Sequence, residues 1–370
     1  MLLDATNRLL DSSCPIETVR AFADGGPRTD DGNLRRRAGE LGWYGLLVEE
    51  RHGGGTLSGN GVVDAALIAA ARGYRLQPGA FVPTSLVAFA LSCADQPAHV
   101  GLLDRLVSGD ATAAWAVDGF TRGRASLLHA ERQGDGMVLS GKLPAVQDAD
   151  ACDVVLVTSL RDTPYWQYLV PRDAAGLHMQ PAGGLDLTRR FSEVSFDRVT
   201  LPASSAVHGP DGFDALVNRE IDVAAALSSA DAVGAMQRDF DLALEYAKSR
   251  VAFGRPIGSF QAIKHSLANC SLWLEMSKAA VAGAARAVGA NAPEASALAS
   301  VAKSYVGERA IELTQSCFQV FGGIGYTWEH DHHLAMRRLG VEAQLFGGPA
   351  WHRDRLARMG GLDQGNDDGA

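Results

Sequence analysis

The chain has 370 residues, 46% hydrophobic and 21% charged, enough apolar material for two or three packed units and too much for a disordered chain. With 34 basic against 43 acidic residues, its formal net charge is -9, so it lacks the basic surface a nucleic-acid partner needs. The longest apolar stretch, 62–71, is broken by Asp64 and is too short to span a bilayer.

The first residues, Met-Leu-Leu-Asp-Ala-Thr-Asn-Arg, have neither the charged start nor the apolar core of a secretory leader. Five widely spaced cysteines (Cys14, Cys93, Cys152, Cys270, Cys317), with no Cys-x-x-Cys pair, fit a reducing, cytoplasmic setting and no zinc site. Residues 1–112 read as a helical unit. Stretches 34–47 and 61–71 carry helical periodicity, and Gly53-Gly54-Gly55 marks a loop between them.

From 113 to 205 the texture changes to short β-forming runs at 113–117, 125–130, 137–140, 154–159, 166–170 and 193–196. Turns such as Gln133-Gly134-Asp135-Gly136 divide them, so a small barrel or sandwich is expected. From 206 to 359 the helical period returns. Long helices are expected over 222–253, 260–288 and 294–321, the first bending near Gly234. Three long helices and a shorter one make a four-helix bundle. The Gly- and Asp-rich tail, 360–370, is expected to be disordered. An order of helical, β, helical units is α+β and excludes a doubly wound sheet.

The strongest motif is Arg250-Val-Ala-Phe-Gly-Arg-Pro-Ile-Gly-Ser-Phe-Gln261. It spells a helix end, a tight turn and a new helix. Gly254 permits the turn, Pro256 stops the first helix, and Ser259 can cap the next. Arg250 and Arg255 bracket the turn with guanidinium groups, which suit a pyrophosphate. On composition alone, a solvated turn with two surface arginines accounts for the motif as well.

This pattern is similar to the signature of the acyl-CoA dehydrogenases. A second match follows at Gln319-Val-Phe-Gly-Gly-Ile-Gly-Tyr-Thr-Trp-Glu-His-Asp331. Shorter ones occur at Leu41-Gly-Trp43, Glu50-Arg-His-Gly-Gly54, Leu139-Ser-Gly-Lys142 and Leu185-Asp-Leu-Thr-Arg189, so the resemblance covers nearly the whole chain. It implies an N-terminal helical domain, a central β-domain and a C-terminal four-helix bundle. It implies FAD, contacted by Arg250, Phe253 and Gln261. It also implies that Gln319, Gly322 and Gly323 approach the adenylate part from a neighbouring subunit. The reaction implied is oxidation of an acyl-CoA thioester to its 2,3-enoyl form, with a flavoprotein as electron acceptor. The assembly implied is a homo-oligomer or an α2β2 heterotetramer with a second acyl-CoA dehydrogenase chain.

The same alignment places Phe346 and Ala224 where the family carries its catalytic Glu, and neither can take a proton. Gly348 replaces a threonine that helps hold the cofactor. Glu220, one helical turn before Ala224, is the weak candidate for a base, and Glu342 and Asp222 are also near. All three read as ordinary surface or first-turn acids. The flavin-facing stretches are replaced by Trp115-Ala-Val-Asp-Gly-Phe120 and Leu143-Pro-Ala-Val146. Glu329-His-Asp-His-His333 reads as structural, not as a metal site. His265 is expected to face solvent or a subunit boundary, and Phe260 and Trp273 to lie in the core. The chain is therefore expected to be an FAD-dependent dehydrogenase or its base-lacking subunit. The alternative is a non-catalytic, flavoprotein-like scaffold or acyl-thioester binder.

Overall fold

The computed structural model describes residues 2–27, 32–120, 127–161, 164–209 and 211–361. Most of the tail expected to be disordered lies outside the described residues.

The N-terminal third is helical: α1 (Leu2–Ser13), α2 (Ile16–Ala23), α3 (Gly32–Glu40), α4 (Gly61–Tyr74), α5 (Phe81–Ala94) and α6 (Val100–Val107). The periodic stretch 34–47 is not one helix. α3 stops at Glu40, and Gly42, at φ 80°, turns the chain into a short 3-10 turn that buries Trp43 and Tyr44. The Trp43 indole donates to Thr6 Oγ1 at 3.2 Å, which satisfies its one polar atom.

The middle of the chain holds β1 (Ala113–Asp118), β2 (Leu128–Gln133), β3 (Gly136–Gln147), β4 (Val154–Ser159), β5 (Trp166–Pro171), β6 (Leu177–Ala182) and β7 (Phe191–Leu201). They form two sheets, ordered β1-β4-β5 and β2-β3-β7-β6. β1 runs parallel to β4 in the register Ala113↔Val154, and the other pairs are antiparallel. β6 was not expected, because Leu-His-Met-Gln-Pro-Ala is largely exposed and carries no apolar run.

The first sheet is buried on both faces, which explains its continuous apolar strands. Ala114, Ala116, Val155 and Val157 pack between the two sheets. Ala113, Trp115, Leu156 and Leu169 point the other way and join the large helical core. This period of two sends the Trp115 ring out of the β-domain toward the helices.

The C-terminal part contains α7 (Phe213–Ser249), a hairpin of β8 (Val251–Ala252) and β9 (Arg255–Pro256), α8 (Gln261–Gly289), α9 (Ala295–Phe321), α10 (His332–Glu342) and α11 (Pro349–Met359). α7, α8 and α9 pack on one another; α4 lies along α7, α5 contacts both α7 and β1, and α10 and α11 pack on α9. α7 is one continuous 37-residue helix, so Gly234 does not break it. Gly234 instead admits α4: a Cβ there would sit 2.0 Å from the Ala70 carbonyl oxygen. Gly73 does the same from the other side, 2.0 Å from the Asp231 oxygen.

Phe260 and Trp273 are half-buried, not core residues. Each ring is covered by a guanidinium instead, Arg255 over Phe260 at 4.1 Å and Arg309 over Trp273 at 5.7 Å. Among the described residues, no helix is long and apolar enough to cross a membrane.

Candidate functional site

The hairpin after α7 is a two-residue turn with Phe253 at φ 54° and Gly254 at φ 79°. Two positive φ angles match the twist of paired strands, and the Ile257 amide closes the turn onto the Arg250 carbonyl at 2.8 Å. A bulky aromatic in this region is strained, yet Phe253 is 96% exposed. Arg250 and Gln261 are exposed beside it. Ser259 does not cap α8: Phe260 occupies that position, and the Ser259 hydroxyl is buried with no hydrogen-bond partner among the described residues.

The second motif ends α9. Gln319 is exposed, Gly322 takes φ 62°, and a Cβ on Gly323 would meet only open space. Tyr246 near the end of α7 packs on Phe321 at the end of α9, 5.6 Å between centroids. The two motifs thus share one end of the bundle. Exposed guanidinium groups beside an open glycine turn fit a phosphate-bearing group held from outside the chain.

His332 and Asp239 are both fully buried, with Nδ1 and Oδ1 2.6 Å apart, and Thr314 donates to the other Asp239 oxygen at 2.8 Å. Asp331 pairs with Arg20 of α2 and Arg238 of α7. The His- and acid-rich stretch therefore pins the loop after Gly322 to α2 and α7. His265 is exposed.

At the expected base positions there is no carboxylate. Ala224 is fully buried in the helical core. Phe346, at φ 57°, stacks on Trp115 with centroids 5.7 Å apart. Phe120 meets the edge of Trp115, and Trp351 meets Phe120 at 5.1 Å, so four aromatic rings occupy the join between β1 and the segment after α10. The Phe346 carbonyl is held by His352 Nε2 at 3.1 Å. Burial, with help from Lys303, pushes His352 down to about 3, so the ring is neutral. At Gly348 any side chain would meet the Gln344 amide oxygen, 2.4 Å from an added Cβ.

The three acids are not surface groups; tertiary packing buries all of them. Glu220 accepts from Gln167 Nε2 at 2.6 Å, and its other oxygen has no partner among the described residues. Burial lifts its carboxyl to about 8, against which the Gln167 hydrogen bond works weakly. The same Gln167 amide reaches Thr158 Oγ1 at 2.9 Å, and Thr158 accepts the Trp115 indole N–H at 2.9 Å. Glu220 therefore supports the wall behind Trp115. Asp222 is paired with Arg355 and Ser296, each at 2.5 Å.

Glu342 pairs with Arg189, and its carbonyl takes the Lys303 ammonium at 2.6 Å. Arg338 grips Asp231 through two nitrogens, at 2.8 and 2.7 Å, and Arg189 lies 3.3 Å from the same carboxylate. This buried network ties the β-domain to α7, α9 and α10. Burial pushes Lys303 down to about 8. Sequence reasoning did not single out Lys303, Asp231 or Arg338; the available signal was a charged residue inside an apolar helical run, as in Ala-Ser-Val-Ala-Lys-Ser-Tyr-Val.

A cleft of about 880 Å³ opens between α9, α10 and α11, next to Phe120 and Trp351. Glu308, Glu312 and Asp354 line it, and its Arg353 is paired with Glu308. That charge balance opposes a pyrophosphate. The phosphate-compatible surface is the hairpin end of the bundle.

Residues 210–360 match the family model described as the acyl-CoA dehydrogenase C-terminal domain. The chain is 31% identical over 360 residues to acyl-CoA dehydrogenase IpdE2 of Mycobacterium tuberculosis, covering 97% of this chain and 95% of that protein. It superposes on a chain of the ChsE4-ChsE5 complex from Mycobacterium tuberculosis with a TM-score of 0.87, 23% identity and coverage of 97% and 96%. It also superposes on a glutaryl-CoA dehydrogenase of Mycobacterium smegmatis in complex with FADH2, with a TM-score of 0.83, 20% identity and coverage of 97% and 93%.

Proposed function

This chain belongs to the acyl-CoA dehydrogenase family, and on that premise we propose that it is the base-lacking subunit of a heteromeric enzyme. The family's activity is oxidation of acyl-CoA thioesters. In the proposed enzyme a second dehydrogenase chain brings the carboxylate that removes the α-proton. This chain brings surface for the shared cofactor.

The observation that carries the reading is Phe346 stacked on Trp115, with Ala224 in the core. Both base positions are filled by apolar packing, and of the nearby acids Asp222 and Glu342 are held in ion pairs while Glu220 accepts from Gln167. The contrast with the hairpin end supports the same reading. Arg250, Phe253 and Gln261 would hold FAD on one side, and Gln319, Gly322 and Gly323 would meet the adenylate part of a site shared with a neighbour. When bound, FAD supplies the hydride acceptor, and a separate flavoprotein would take the electrons onward. A structural neighbour being a complex of two differently named chains is consistent with a mixed assembly.

The test is spectroscopic. The chain is purified alone and after co-expression with a base-bearing dehydrogenase chain, and each sample is titrated anaerobically with acyl-CoA. Flavin absorbance and bleaching only in the mixed assembly are expected. A lone chain that is yellow and bleached by acyl-CoA would sink the proposal. A mixed assembly that never gains flavin would favour the non-catalytic scaffold or acyl-thioester binder.

A further inference from the structure

Cys270 of α8 and Cys317 of α9 meet inside the bundle, and both side chains are fully buried. Their thiols share a hydrogen bond, Cys317 donating and Cys270 accepting, and Ser316 is a second partner of Cys270. The two helices run side by side along this stretch. The Tyr305 hydroxyl of α9 reaches the Met276 sulfur of α8 at 3.3 Å, and Arg309 covers Trp273 at 5.7 Å. Thr314, one turn before Cys317, donates to Asp239, whose charge acts on both thiols. The pair also lies close to the surface: Ala268 and Asn269, just before Cys270, and Gln315, just before Cys317, are exposed. A water-sized oxidant therefore has a short path, opened by local fluctuation of the last turns of α9.

The two thiols are not equivalent. The hydrogen bond from Cys317 holds Cys270 below the ordinary thiol value, and the same bond, with burial, pushes Cys317 up. Cys93 and Cys152, by contrast, are pushed up by burial to about 11 and about 12. A lowered thiol supplies the thiolate that attacks, and a protonated neighbour in contact with it can resolve the product. We propose that Cys270 and Cys317 are a peroxide-responsive pair whose disulfide ties α8 to α9 at the end of the bundle that carries the 319–323 turn. In the first step the Cys270 sulfur attacks a peroxide oxygen. The S–O bond forms, the O–O bond breaks, and the departing hydroxide takes up the proton that Cys270 lost, leaving a sulfenic acid and water. In the second step the Cys317 sulfur attacks the Cys270 sulfur. The S–S bond forms, the S–O bond breaks, and hydroxide leaves with the Cys317 proton as water. The thiols together lose two electrons, which reduce one peroxide to two waters. The proposal does not depend on the chain's role in dehydrogenation.

The test treats the full-length chain with hydrogen peroxide, then denatures it and counts free thiols. The five thiols of the reduced chain should fall by two, with residues 270 and 317 joined in one proteolytic fragment by mass spectrometry. Dithiothreitol should restore all five. The oxidised chain should melt higher by about 5 °C or more, because the link closes a long loop, and should return to its first midpoint on reduction. Cys317→Ser should stop at the sulfenic acid, trapped on Cys270 by dimedone, and Cys317→Ala repeats that reading if the serine unsettles the core. Cys270→Ser should leave Cys317 unlabelled. Cys93→Ser should form the link as the native chain does. Absence of a link between 270 and 317 overturns the proposal. So does dimedone labelling of Cys317 in place of Cys270, or a link that leaves the melting midpoint unmoved.

Discussion

The phenyl ring of Phe346, the residue proposed to stand in place of the catalytic carboxylate, lies over the indole of Trp115 with planes 24° apart. Both partners are anchored from behind. Trp115 is fixed through Thr158 and Gln167 to Glu220 on α7, and the Phe346 backbone is held by His352 on α11. The join between the β-domain and the C-terminal helices is thus an aromatic clamp.

Shortening the ring should loosen that clamp. Phe346→Leu is expected to lose about 1 kcal/mol of stability, the worth of a ring pair beyond its area. Phe346→Glu should lose more, about 2 kcal/mol or above, because a carboxyl would face the indole without a partner. Urea unfolding with an unchanged slope, followed by Trp emission, measures both. Neither variant should gain acyl-CoA-dependent flavin bleaching on its own.

Glu220 makes stability fall on the alkaline side. Its carboxyl is raised from 4.5 to about 8 in the folded chain, so the folded state holds the proton more tightly than the unfolded one. The stabilisation is complete below 4.5 and is lost as pH rises through the window up to about 8. Glu220→Gln keeps a hydrogen-bonding group and cannot ionise. Its thermal midpoint should therefore exceed the native one at about pH 9, by the equivalent of a few kcal/mol, with the gap closing toward acid. Parallel pH profiles for the two proteins would show that Glu220 does not titrate in this range.

Phe253 separates strain from contact. Asn tolerates a left-handed φ better than Phe, so Phe253→Asn should leave the melting temperature equal or slightly higher, by up to about 1 kcal/mol. The same change removes the exposed ring proposed to meet the cofactor. Flavin retention by the mixed assembly, measured by absorbance after gel filtration, should fall by about tenfold or more.

Two glycines inside helices should respond with opposite signs. A Cβ on Gly234 would strike the Ala70 carbonyl, so Gly234→Ala should cost about 1–3 kcal/mol or more by forcing α4 and α7 apart. A Cβ on Gly283 of α8 meets nothing within 4 Å, so Gly283→Ala should stabilise the chain by about 0.5–1 kcal/mol. Thermal unfolding of the isolated variants measures both.

Much of the fold was legible because its signals are local. The β-forming runs matched β1, β4 and β5 to within a residue or so, since a sheet buried on both faces is written as a continuous apolar strand. β6 was silent because an exposed edge strand needs no apolar residues. At Gly234 the sequence shows a missing side chain but not that α4 fills the gap. Glu220, Asp222 and Glu342 were misread as surface acids for the same reason: their partners Gln167, Arg355 and Arg189 lie far away in sequence.

The sequence by itself determined the order of helical and β units, the family resemblance and the absence of Glu at positions 224 and 346. Those follow from residue identity and short spacing, which the linear chain carries in full. Only the tertiary structure decided what packs around Phe346 and Ala224 and which acids are buried. Those depend on which distant residues meet, and burial and partnership arise only when α7, β1 and β5 pack together.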